Sequence, residues 1–344
     1  FEKDDADRAA LEAELHAADI DWLPLSYHLR PPVLSTLIDV AAGVRALRHA
    51  TRAKPAAIVH VRSYVPALIA LLARRWTGGK LIFDIRGFWA DERIEGGIWP
   101  SGGWLYKLAK RCERWFFRET DAVVTLTHAS VPKVREWLGG RPVPVVVIPT
   151  CADIALFTRT ERRPGGPGAT WVGSIGTWYR FDLAAPLARA LKMPLNVVTR
   201  QSELARKILH GAEVPVKTLP LHEVPAELFS GDVGLCLYVA SFSRVATAPT
   251  RLGEYLAAGM PVVVTPGVGD LERIVEEHEV GAVLRGESEE ELARVASVVS
   301  ALASDPAVQE RCRSVARELF DVDEGAKRYS ELYRKLLGSG PGSG

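Results

Sequence analysis

The sequence predicts an α/β protein whose parallel sheets are covered by helices on both faces. Short apolar segments that favour β structure alternate with segments of helical pattern along the whole chain. Several of these segments are apolar at nearly every position, which is typical of strands buried on both faces of a sheet. The chain has 344 residues, and because a domain usually holds roughly 150 residues, two domains are expected.

The predicted strands follow the apolar segments in order. They cover residues 57–61, 80–85, 122–127, 143–148, 170–172, 195–199, 233–238, 261–265 and 281–284. Helices are expected between them: Ser202 is the predicted N-cap of one that extends to residue 210, and Gly259 ends one that begins at Pro249. Ser288 and Glu291 have the spacing of a capping box at the start of a helix through residue 303.

Two segments are predicted to lack regular structure. Residues 159–169 include the sequence Pro-Gly-Gly-Pro-Gly and show no periodicity, so we expect them to link the two domains. Residues 338–344 consist of glycine, serine and proline, and they are predicted to form a flexible tail.

Composition and charge exclude several classes of protein. Apolar residues make up 47% and charged residues 25% of the chain, values that exclude disordered and collagen-like proteins. The longest apolar segment, 64–73, is shorter than the roughly 20 residues that cross a bilayer, and the acidic N-terminal sequence lacks the pattern of a signal peptide. A cytoplasmic location is expected. The net charge of +1 is unlike that of duplex-binding domains, so no nucleic acid partner is expected.

The cysteines give no sign of a disulfide framework or a zinc site. Cys112, Cys151, Cys236 and Cys312 lie far apart, without a Cys-x-x-Cys spacing. We interpret them as free thiols, and we predict no metal site.

The most informative segment has the sequence APTRLGEYLAAGMPVVVT. Pro249 suits the first turn of a helix. The backbone amides of Thr250, Arg251 and Leu252 are therefore predicted to point outward at the positive end of the helix dipole, where phosphate binds. Glu254 follows one turn later, where its carboxylate can accept hydrogen bonds from a vicinal diol such as ribose. This pattern indicates a nucleotide-sugar site; the alternative is that Glu254 only interacts with the dipole of an ordinary helix.

The segment resembles the donor-binding signature of the group-1, family-4 glycosyltransferases, which have the GT-B fold: Pro-Thr-Lys/Arg-Leu-x-Glu-Tyr-x-Ala-x-Gly-x-Pro-Val. The sequence WVGSIGTWY looks like the first strand and glycine turn of that family's C-terminal domain. The resemblance implies that Gly173, Ser174 and Gly176 let the backbone approach the donor phosphate. The segment HEVPAEL, which begins at His222, is similar to the one that cups the base, and residues 148–153 resemble the hinge motif Ile-Pro-Asn-Gly-x-Asp.

The chain also departs from the family pattern. Many members carry a second glutamate near the transferred sugar, eight residues before the one that matches Glu254, and here that position is Ala246. The hinge Asn-Gly is replaced by Thr150 and Cys151.

A basic pair often clamps the diphosphate in this family. The resemblance implies this role for Arg180, which follows the first strand of the C-terminal domain, and for Arg200, which follows Thr199 at the end of the next strand. Arg251 is expected to share the work, because a guanidinium fork suits phosphate oxygens. Thr199 is predicted to belong to the same donor site.

A second polar segment, FDIRGFWADE, follows a predicted buried strand in the N-terminal half. Ligands bind at the carboxyl ends of parallel strands, so Asp84, Arg86, Asp91 and Glu92 are predicted to lie on the floor of the cleft. The segment resembles a subgroup of the same family with the pattern Asp-x-Arg-Gly-x-Trp-x-Asp-Glu, and the resemblance places Arg86 where many members have a histidine near the reacting sugar. A buried ion pair between Asp84 and Arg86 is the alternative.

The resemblance implies two Rossmann-like domains that face each other across a cleft. Residues 1–153 would form the acceptor-side domain, residues 154–325 the donor-binding domain, and helix 326–337 would cross back to the first. In this fold the N-terminal domain starts with a strand, a glycine-rich turn and a helix. The sequence shows none of these at its start, because residues 2–5 would already lie just beyond the second strand. Either these elements were removed, or another chain or a rearranged order supplies them. We therefore expect the chain to be inactive or poorly folded without them.

The resemblance implies transfer of a sugar from a nucleoside-diphosphate sugar to a glycan or lipid-linked acceptor, with retention of configuration and without a metal ion or cofactor. Two alternatives remain open, a GT-B epimerase acting on a nucleotide sugar and a non-catalytic nucleotide-sugar-binding protein. A dehydrogenase is disfavoured, because no Gly-x-Gly-x-x-Gly with a downstream acidic residue follows a strand.

Residues 104–118 have the pattern of a basic amphipathic helix. Lys107, Arg111, Arg114 and Arg118 form one stripe, and a second, apolar stripe contains residues 105, 108, 112 and 116. Such a helix can lie on an anionic membrane surface at the inner face of the membrane. The alternative is a helix that packs its apolar stripe on the sheet.

Overall fold

Two sheets of parallel strands organise the chain, as the sequence predicts. The computed structural model describes residues 8–26, 28, 31–158, 168–210, 214–229 and 231–338. Within these residues, the first sheet has four strands and the second has six. The two sheets and the helices around them are called the first and second lobes below.

The first sheet has the strand order β1-β2-β3-β4. Its strands are β1 (Ala56–Arg62), β2 (Gly78–Asp84), β3 (Ala122–Thr125) and β4 (Val145–Val147). The helices of this lobe are α1 (Arg8–Ala17), α2 (Pro32–Ala53), α3 (Tyr64–Thr77), α4 (Trp89–Glu95), α5 (Trp104–Glu119) and α6 (Val131–Leu138). Leu81, Ile82 and Phe83 of β2 are almost completely buried, as expected of an inner parallel strand.

The second sheet has the order β10-β9-β8-β5-β6-β7. Its strands are β5 (Ala169–Val172), β6 (Leu195–Val198), β7 (Val216–Lys217), β8 (Val233–Cys236), β9 (Val262–Val264) and β10 (Gly281–Val283). After β5 the chain continues to β6 on one side and later to β8 on the other. This reversal opens a crevice at the carboxyl end of β5.

Short helices connect these strands, and longer ones close the chain. They are α7 (Ile154–Phe157), α8 (Ala184–Ala190), α9 (Ser202–Ile208), α10 (Val224–Leu228), α11 (Thr250–Ala257), α12 (Leu271–Glu277), α13 (Glu289–Ser304), α14 (Pro306–Phe320) and α15 (Val322–Leu336). A 3₁₀ turn, Ser243–Ala246, precedes α11.

The side chain of Tyr255 fixes α11 against the crevice. Its hydroxyl donates to the carbonyl of Thr170 (3.1 Å) and accepts from the amide of Val172 (2.9 Å). A Cβ atom at Gly234 of β8 would lie 2.5 Å from the Tyr255 ring, so a glycine is needed for this close approach. The first turn of α11 is thereby held at the carboxyl end of β5.

The last helix, α15, packs on the first sheet. Its Leu332 is buried with Ile82 and Ile148, and its Tyr329 donates a hydrogen bond to Oδ2 of Asp84 (2.8 Å). The C-terminal part of the chain therefore contributes directly to the lobe formed by the N-terminal half.

Every strand predicted from the sequence is present, with small differences at the ends. The structure adds β7, whose two residues are too few to form a pattern. Ser202 is the first residue of α9 and not its N-cap. Ser288 caps α13 as predicted, but the Glu291 carboxylate accepts from the amide of Arg285. The predicted linker and tail lie mostly outside the described residues, in 159–167 and 339–344.

The predicted apolar stripe of α5 is only partly buried. Phe116 is buried, whereas Leu108 is 50% exposed beside the basic residues. The buried face includes Glu113 and Phe117 instead. Helix α5 therefore presents an outward face that is both basic and apolar.

Candidate functional site

A large cavity lies at the carboxyl ends of the second sheet's strands. Its volume is about 860 Å³. Of the residues predicted to bind the donor, the wall includes Gly173, Ser174, Gly176, Thr199, Arg200, Thr250, Arg251 and Glu254. The fold therefore brings most of that predicted set together in one place.

The glycine turn passes directly over the Arg251 side chain. Gly173 has φ +116°, and a Cβ atom there would lie 2.2 Å from Nη2 of Arg251. Any larger residue would displace the guanidinium or the turn. A hydrogen bond from the Ile175 amide to Oε1 of Gln201 (2.6 Å) stabilises the turn.

Arg251 is a buried cation that faces the cavity. Its side chain lies over the rings of Tyr179 (4.9 Å), Trp171 (5.4 Å) and Tyr238 (5.6 Å), and the residue is 8% exposed. Within the described residues, its Nη1 atom has no hydrogen-bond partner. A buried guanidinium N–H group without a hydrogen-bond partner is costly, so this arrangement favours binding of an anion.

The first turn of α11 offers fewer amides than the sequence predicts. The Leu252 amide donates to the carbonyl of Pro249 (3.1 Å), and its side chain is buried in the core. In the part of the chain that the structure describes, the amides of Thr250 and Arg251 have no backbone acceptor. These two amides, at the positive end of the helix, are the ones available to an anion.

Glu254 lies in the same cavity wall, one turn after Thr250. Burial raises the pKa of its carboxyl group above the ordinary value, and the Arg251 guanidinium opposes this shift. The cavity therefore holds a carboxylate that is partly desolvated but close to a cation. Such a group is suited to accept hydrogen bonds from hydroxyl groups.

Besides Leu252, two predicted donor residues lie away from the cavity wall. Arg180 is held by Asp182 (2.7 Å) and Glu287 (2.8 Å), and these carboxylates raise its pKa. His222 has an 80% exposed side chain. The apolar Leu219 and Val224 line the cavity instead, so the predicted base-cupping segment contributes through neighbours of His222.

A second cavity, of about 500 Å³, lies on the first lobe and contains Asp84 and Arg86. Asp84 is 2% exposed; its Oδ2 accepts from Tyr329, and its Oδ1 has no partner among the described residues. Arg86 donates to the hydroxyl of Thr150 (3.2 Å). The predicted alternative, an ion pair between Asp84 and Arg86, does not form within the part of the chain that is described.

The loop that carries Arg86 also reaches the second lobe. Arg86 has φ +55° and Gly87 has φ +134°, and this sharp turn brings Gly87 close to the carbonyl of Ala246, 3.8 Å from a Cβ built on the glycine. Ala246 directly precedes Thr247 of the donor cavity. The contact therefore joins the residue after Arg86 of the second cavity to the residue before Thr247 of the donor cavity.

Asp91 lies in a buried polar network and in neither of these cavities. It accepts hydrogen bonds from Tyr106 (2.9 Å) and Lys110 (3.0 Å). Lys110 also pairs with Glu113, whose pKa is raised by burial, and Tyr64 donates to the same carboxylate (2.5 Å). The network anchors α4 to α5.

Glu92, the next residue, points toward the second lobe. It forms an ion pair with Arg244, a residue of the donor cavity wall that the sequence analysis did not single out. Trp178, also missed, lies in the same wall and stacks on Arg244 (4.3 Å). Their positions in the sequence could have drawn attention to both, because Arg244 lies two residues before Ala246 and Trp178 lies two residues after Gly176 of the glycine turn.

No helix in the described residues has both the length and the apolar character to cross a membrane. In the same residues, no group of three or more His, Cys, Asp or Glu side chains is placed to hold a metal ion.

The chain is similar to known glycosyltransferases. Residues 3–151 match the family described as glycosyl transferase 4-like domain. No curated protein sequence matches the chain. A glycosyltransferase from Rickettsia africae ESF-5 has a similar structure, with 15% identity, a TM-score of 0.70, and coverage of 96% of this chain and 88% of that chain.

Two further solved structures extend the comparison. Sucrose-phosphate synthase from Thermosynechococcus elongatus is 16% identical with a TM-score of 0.66, over 92% of this chain and 82% of that chain. Anabaena HepE in complex with UDP-glucose is 17% identical with a TM-score of 0.67, over 95% of this chain and 89% of that chain. The predicted GT-B fold is therefore confirmed, and the match over residues 3–151 shows that the N-terminal part of the chain is similar to glycosyl transferase 4-like domains.

Proposed function

We propose that this protein transfers a sugar from a nucleoside-diphosphate sugar to a hydroxyl group of a glycan or lipid-linked acceptor in the synthesis of cell-surface polysaccharide. The observation that carries the proposal is the buried Arg251 guanidinium beneath Gly173, with Glu254 in the same cavity. The cation and two helix amides can bind the negatively charged diphosphate, and the carboxylate can accept hydrogen bonds from the adjacent ribose diol.

The donor's parts fit different regions of the cavity. Arg251 and the amides at the start of α11 bind the diphosphate, and Glu254 accepts from the ribose hydroxyls. The apolar Leu219 and Val224 contact the base. The solved complex of HepE with UDP-glucose supports a nucleotide sugar as the ligand class.

We further propose that the reaction retains the anomeric configuration and needs no metal ion. The bond from the anomeric carbon to the diphosphate oxygen breaks, and the acceptor hydroxyl attacks from the same face. Its proton passes to the departing diphosphate. Arg251 and the α11 amides stabilise the charge that develops on the leaving group, which is the main demand that this reaction makes on the protein.

The second cavity supplies the acceptor side of the proposal. The unpartnered Oδ1 of Asp84 can accept a hydrogen bond from a hydroxyl group, and Arg86 can donate to another oxygen. A hydroxyl-rich acceptor offers both donors and acceptors. The contact between Gly87 and Ala246, which are neighbours of Arg86 and Thr247, supports an acceptor that approaches the donor from this lobe.

The outward face of α5 is proposed to bring the enzyme to a lipid-linked acceptor at the inner face of the membrane. Trp104 is 65% and Leu108 is 50% exposed, and a groove of about 490 Å³ beside them is lined by Arg111, Arg114 and Arg118. A basic face with exposed aromatic and aliphatic side chains suits an anionic bilayer surface.

The donor proposal is tested by thermal unfolding with UDP-, GDP-, ADP- and TDP-sugars. A ligand at 100 times its Kd adds about 2.7 kcal/mol to stability, so we expect one nucleotide class to raise Tm. Glu254→Ala should abolish the shift, and Glu203→Ala, which changes an exposed carboxylate on α9, should leave it intact. Absence of any shift, or an identical shift in Glu254→Ala, would contradict the proposal.

The chemistry is tested separately by product analysis. Transfer gives a glycoside of the retained anomeric configuration together with free nucleoside diphosphate. An epimerase gives a different sugar nucleotide or free sugar without a glycoside, and a binding protein gives no product.

A further inference from the structure

The donor cavity has a second buried guanidinium, which the proposed diphosphate site does not use. Arg244 has an 8% exposed side chain and lies in the cavity wall. Among the described residues, its Nε atom is buried without a hydrogen-bond partner. The Nε–H group of Arg244 can therefore donate a hydrogen bond to an oxygen atom of a ligand in the cavity.

The guanidinium of Arg244 is held on two sides. Its plane stacks on the Trp178 ring at 4.3 Å, and its Nη2 atom donates to Oε1 of Glu92. The carboxylate fills one position of the guanidinium fork, and the Nε–H position stays open. The orientation of Arg244 is thus set before any ligand binds.

The end of the cavity that contains Arg244 faces the first lobe. Glu92 belongs to α4 of that lobe, and Trp178 packs against Gly96, where a Cβ atom would lie 2.7 Å from the ring. The transferred sugar must lie where it can meet an acceptor bound to the other lobe. The Arg244 end of the cavity is therefore where the sugar, and not the base, is expected.

The chemistry of this end suits a sugar ring. A guanidinium N–H donates to hydroxyl oxygens, and an aromatic ring packs against the apolar face of a sugar. Thr247 adds a hydroxyl to the same stretch of wall.

We propose that Arg244 determines specificity for the transferred sugar by donating its Nε–H to a sugar hydroxyl, and that Glu92 is the positioning residue that holds Arg244 from the opposite lobe. The sugar subsite is then shared between the lobes and is complete only when they are in contact. This inference rests on the proposed donor site, and it adds Arg244 and Glu92 as the residues that determine which sugar binds.

A second carboxylate on α4 provides a matched control. Glu95 accepts hydrogen bonds from Ser241 and from the amide and hydroxyl of Ser243. It joins the same helix to the same loop as Glu92 does, but among the described residues it forms neither a hydrogen bond nor an ion pair with Arg244. Glu95→Ala therefore weakens the contact between the lobes without freeing the guanidinium.

The test compares the Kd of a nucleoside diphosphate with that of its sugar conjugate by titration calorimetry. The probes are UDP, GDP, ADP and TDP, with UDP-glucose, GDP-mannose, ADP-glucose and TDP-glucose. Arg244→Lys and Glu92→Ala should weaken the conjugate about tenfold, the effect of losing one charge-assisted hydrogen bond, and should leave the Kd of the diphosphate unchanged. Glu92→Gln keeps an oxygen that accepts from Nη2, so it should restore most of the affinity.

The outcomes separate this inference from the donor proposal. Equal weakening of both ligands, no weakening in either variant, or the same selective loss in Glu95→Ala would overturn the role of Arg244 and leave the donor site standing. Failure of the unsubstituted protein to bind any of the eight probes would overturn both. Glu92 is 39% exposed, so Glu92→Ala tests the inference even where Arg244→Lys does not fold.

Discussion

Replacing Arg251 by methionine should separate stability from binding. Methionine keeps the length and much of the volume of the side chain but removes the positive charge. The lost cation has an unpartnered Nη1 atom and lies among three aromatic rings. We expect the free energy of unfolding to change little, and the affinity for nucleoside diphosphates to fall.

The magnitudes follow from the environment of Arg251. Replacing buried charged groups by apolar side chains of similar volume is often neutral or stabilising, by about 1–4 kcal/mol. Some of this gain is offset, because each cation–π contact contributes about 0.5–2 kcal/mol and a methionine sulfur near a ring recovers about 0.3–1.5 kcal/mol. With three such contacts the opposing contributions nearly cancel, so the free energy of unfolding is expected to change by less than about 2 kcal/mol in either direction. Loss of a charge-assisted hydrogen bond of about 1.5–3 kcal/mol weakens the diphosphate by roughly 10- to 150-fold.

The assay is urea unfolding together with titration of the nucleoside diphosphate that binds the unsubstituted protein. Arg180→Met is the matched control, because Arg180 follows the glycine turn after β5 but is paired with Asp182 and Glu287 away from the cavity wall. It should leave the Kd unchanged. A variant at Arg251 that loses more than about 2 kcal/mol of stability and binds nucleotide normally would show that the guanidinium is structural and would refute the reasoning.

Three further predictions concern other parts of the molecule. Gly173→Ala should abolish nucleotide binding measured by calorimetry, because its Cβ would lie 2.2 Å from Nη2 of Arg251; normal affinity would show that the turn does not contact the ligand. Burial raises the pKa of Glu254 above 4.5 in the folded state, so the folded protein keeps this proton to higher pH than the unfolded chain, and its contribution to stability falls as pH rises through the window above 4.5. Urea unfolding of Glu254→Gln should lack that part of the pH dependence, and an unchanged profile would contradict the assignment. Arg114→Glu changes the charge by two units and should weaken binding to vesicles that contain phosphatidylglycerol by about 30-fold, at about 1 kcal/mol for each unit of charge near the surface. Arg189→Glu, an exposed charge reversal on α8, should have no such effect, and equal losses in both variants would indicate that only net charge matters.

The strands could be predicted from the sequence because a strand buried on both faces of a sheet is apolar at nearly every position. Val262–Val264, for example, is fully buried and is apolar at each position. Strand β7 could not be predicted, since a two-residue edge strand is defined by its neighbour and not by its own residues. The buried face of α5 could not be predicted from the positions of apolar residues either. It includes a charged residue, Glu113, whose burial depends on a hydrogen bond with Tyr64 and an ion pair with Lys110.

The donor site was largely predictable because its residues are close in sequence to a glycine turn and a helix start. The sequence suggested three arginines for the diphosphate, and it could not rank them. Arg251 is buried beneath the turn, Arg200 lies exposed in the cavity wall, and Arg180 is paired elsewhere. These differences depend on which carboxylates and rings the fold brings near each guanidinium.

Asp91 and Glu92, both predicted to lie on the floor of the cleft, also have partners that the sequence could not reveal. Asp91 and Glu92 are adjacent on α4, so a helix directs them about 100° apart. Asp91 turns into the buried network with Tyr106 and Lys110, and Glu92 turns toward Arg244 of the other lobe. Arg244 itself could not be identified, because its role depends on a partner more than 100 residues away in the chain.

The most direct test of the account is the structure of this protein with a bound nucleoside diphosphate. We predict a diphosphate oxygen within about 3 Å of Nη1 of Arg251, beside the amides of Thr250 and Arg251, with the ribose hydroxyls on the Glu254 carboxylate. A diphosphate bound at Arg180, or a nucleotide in the cavity of Asp84 and Arg86, would contradict it.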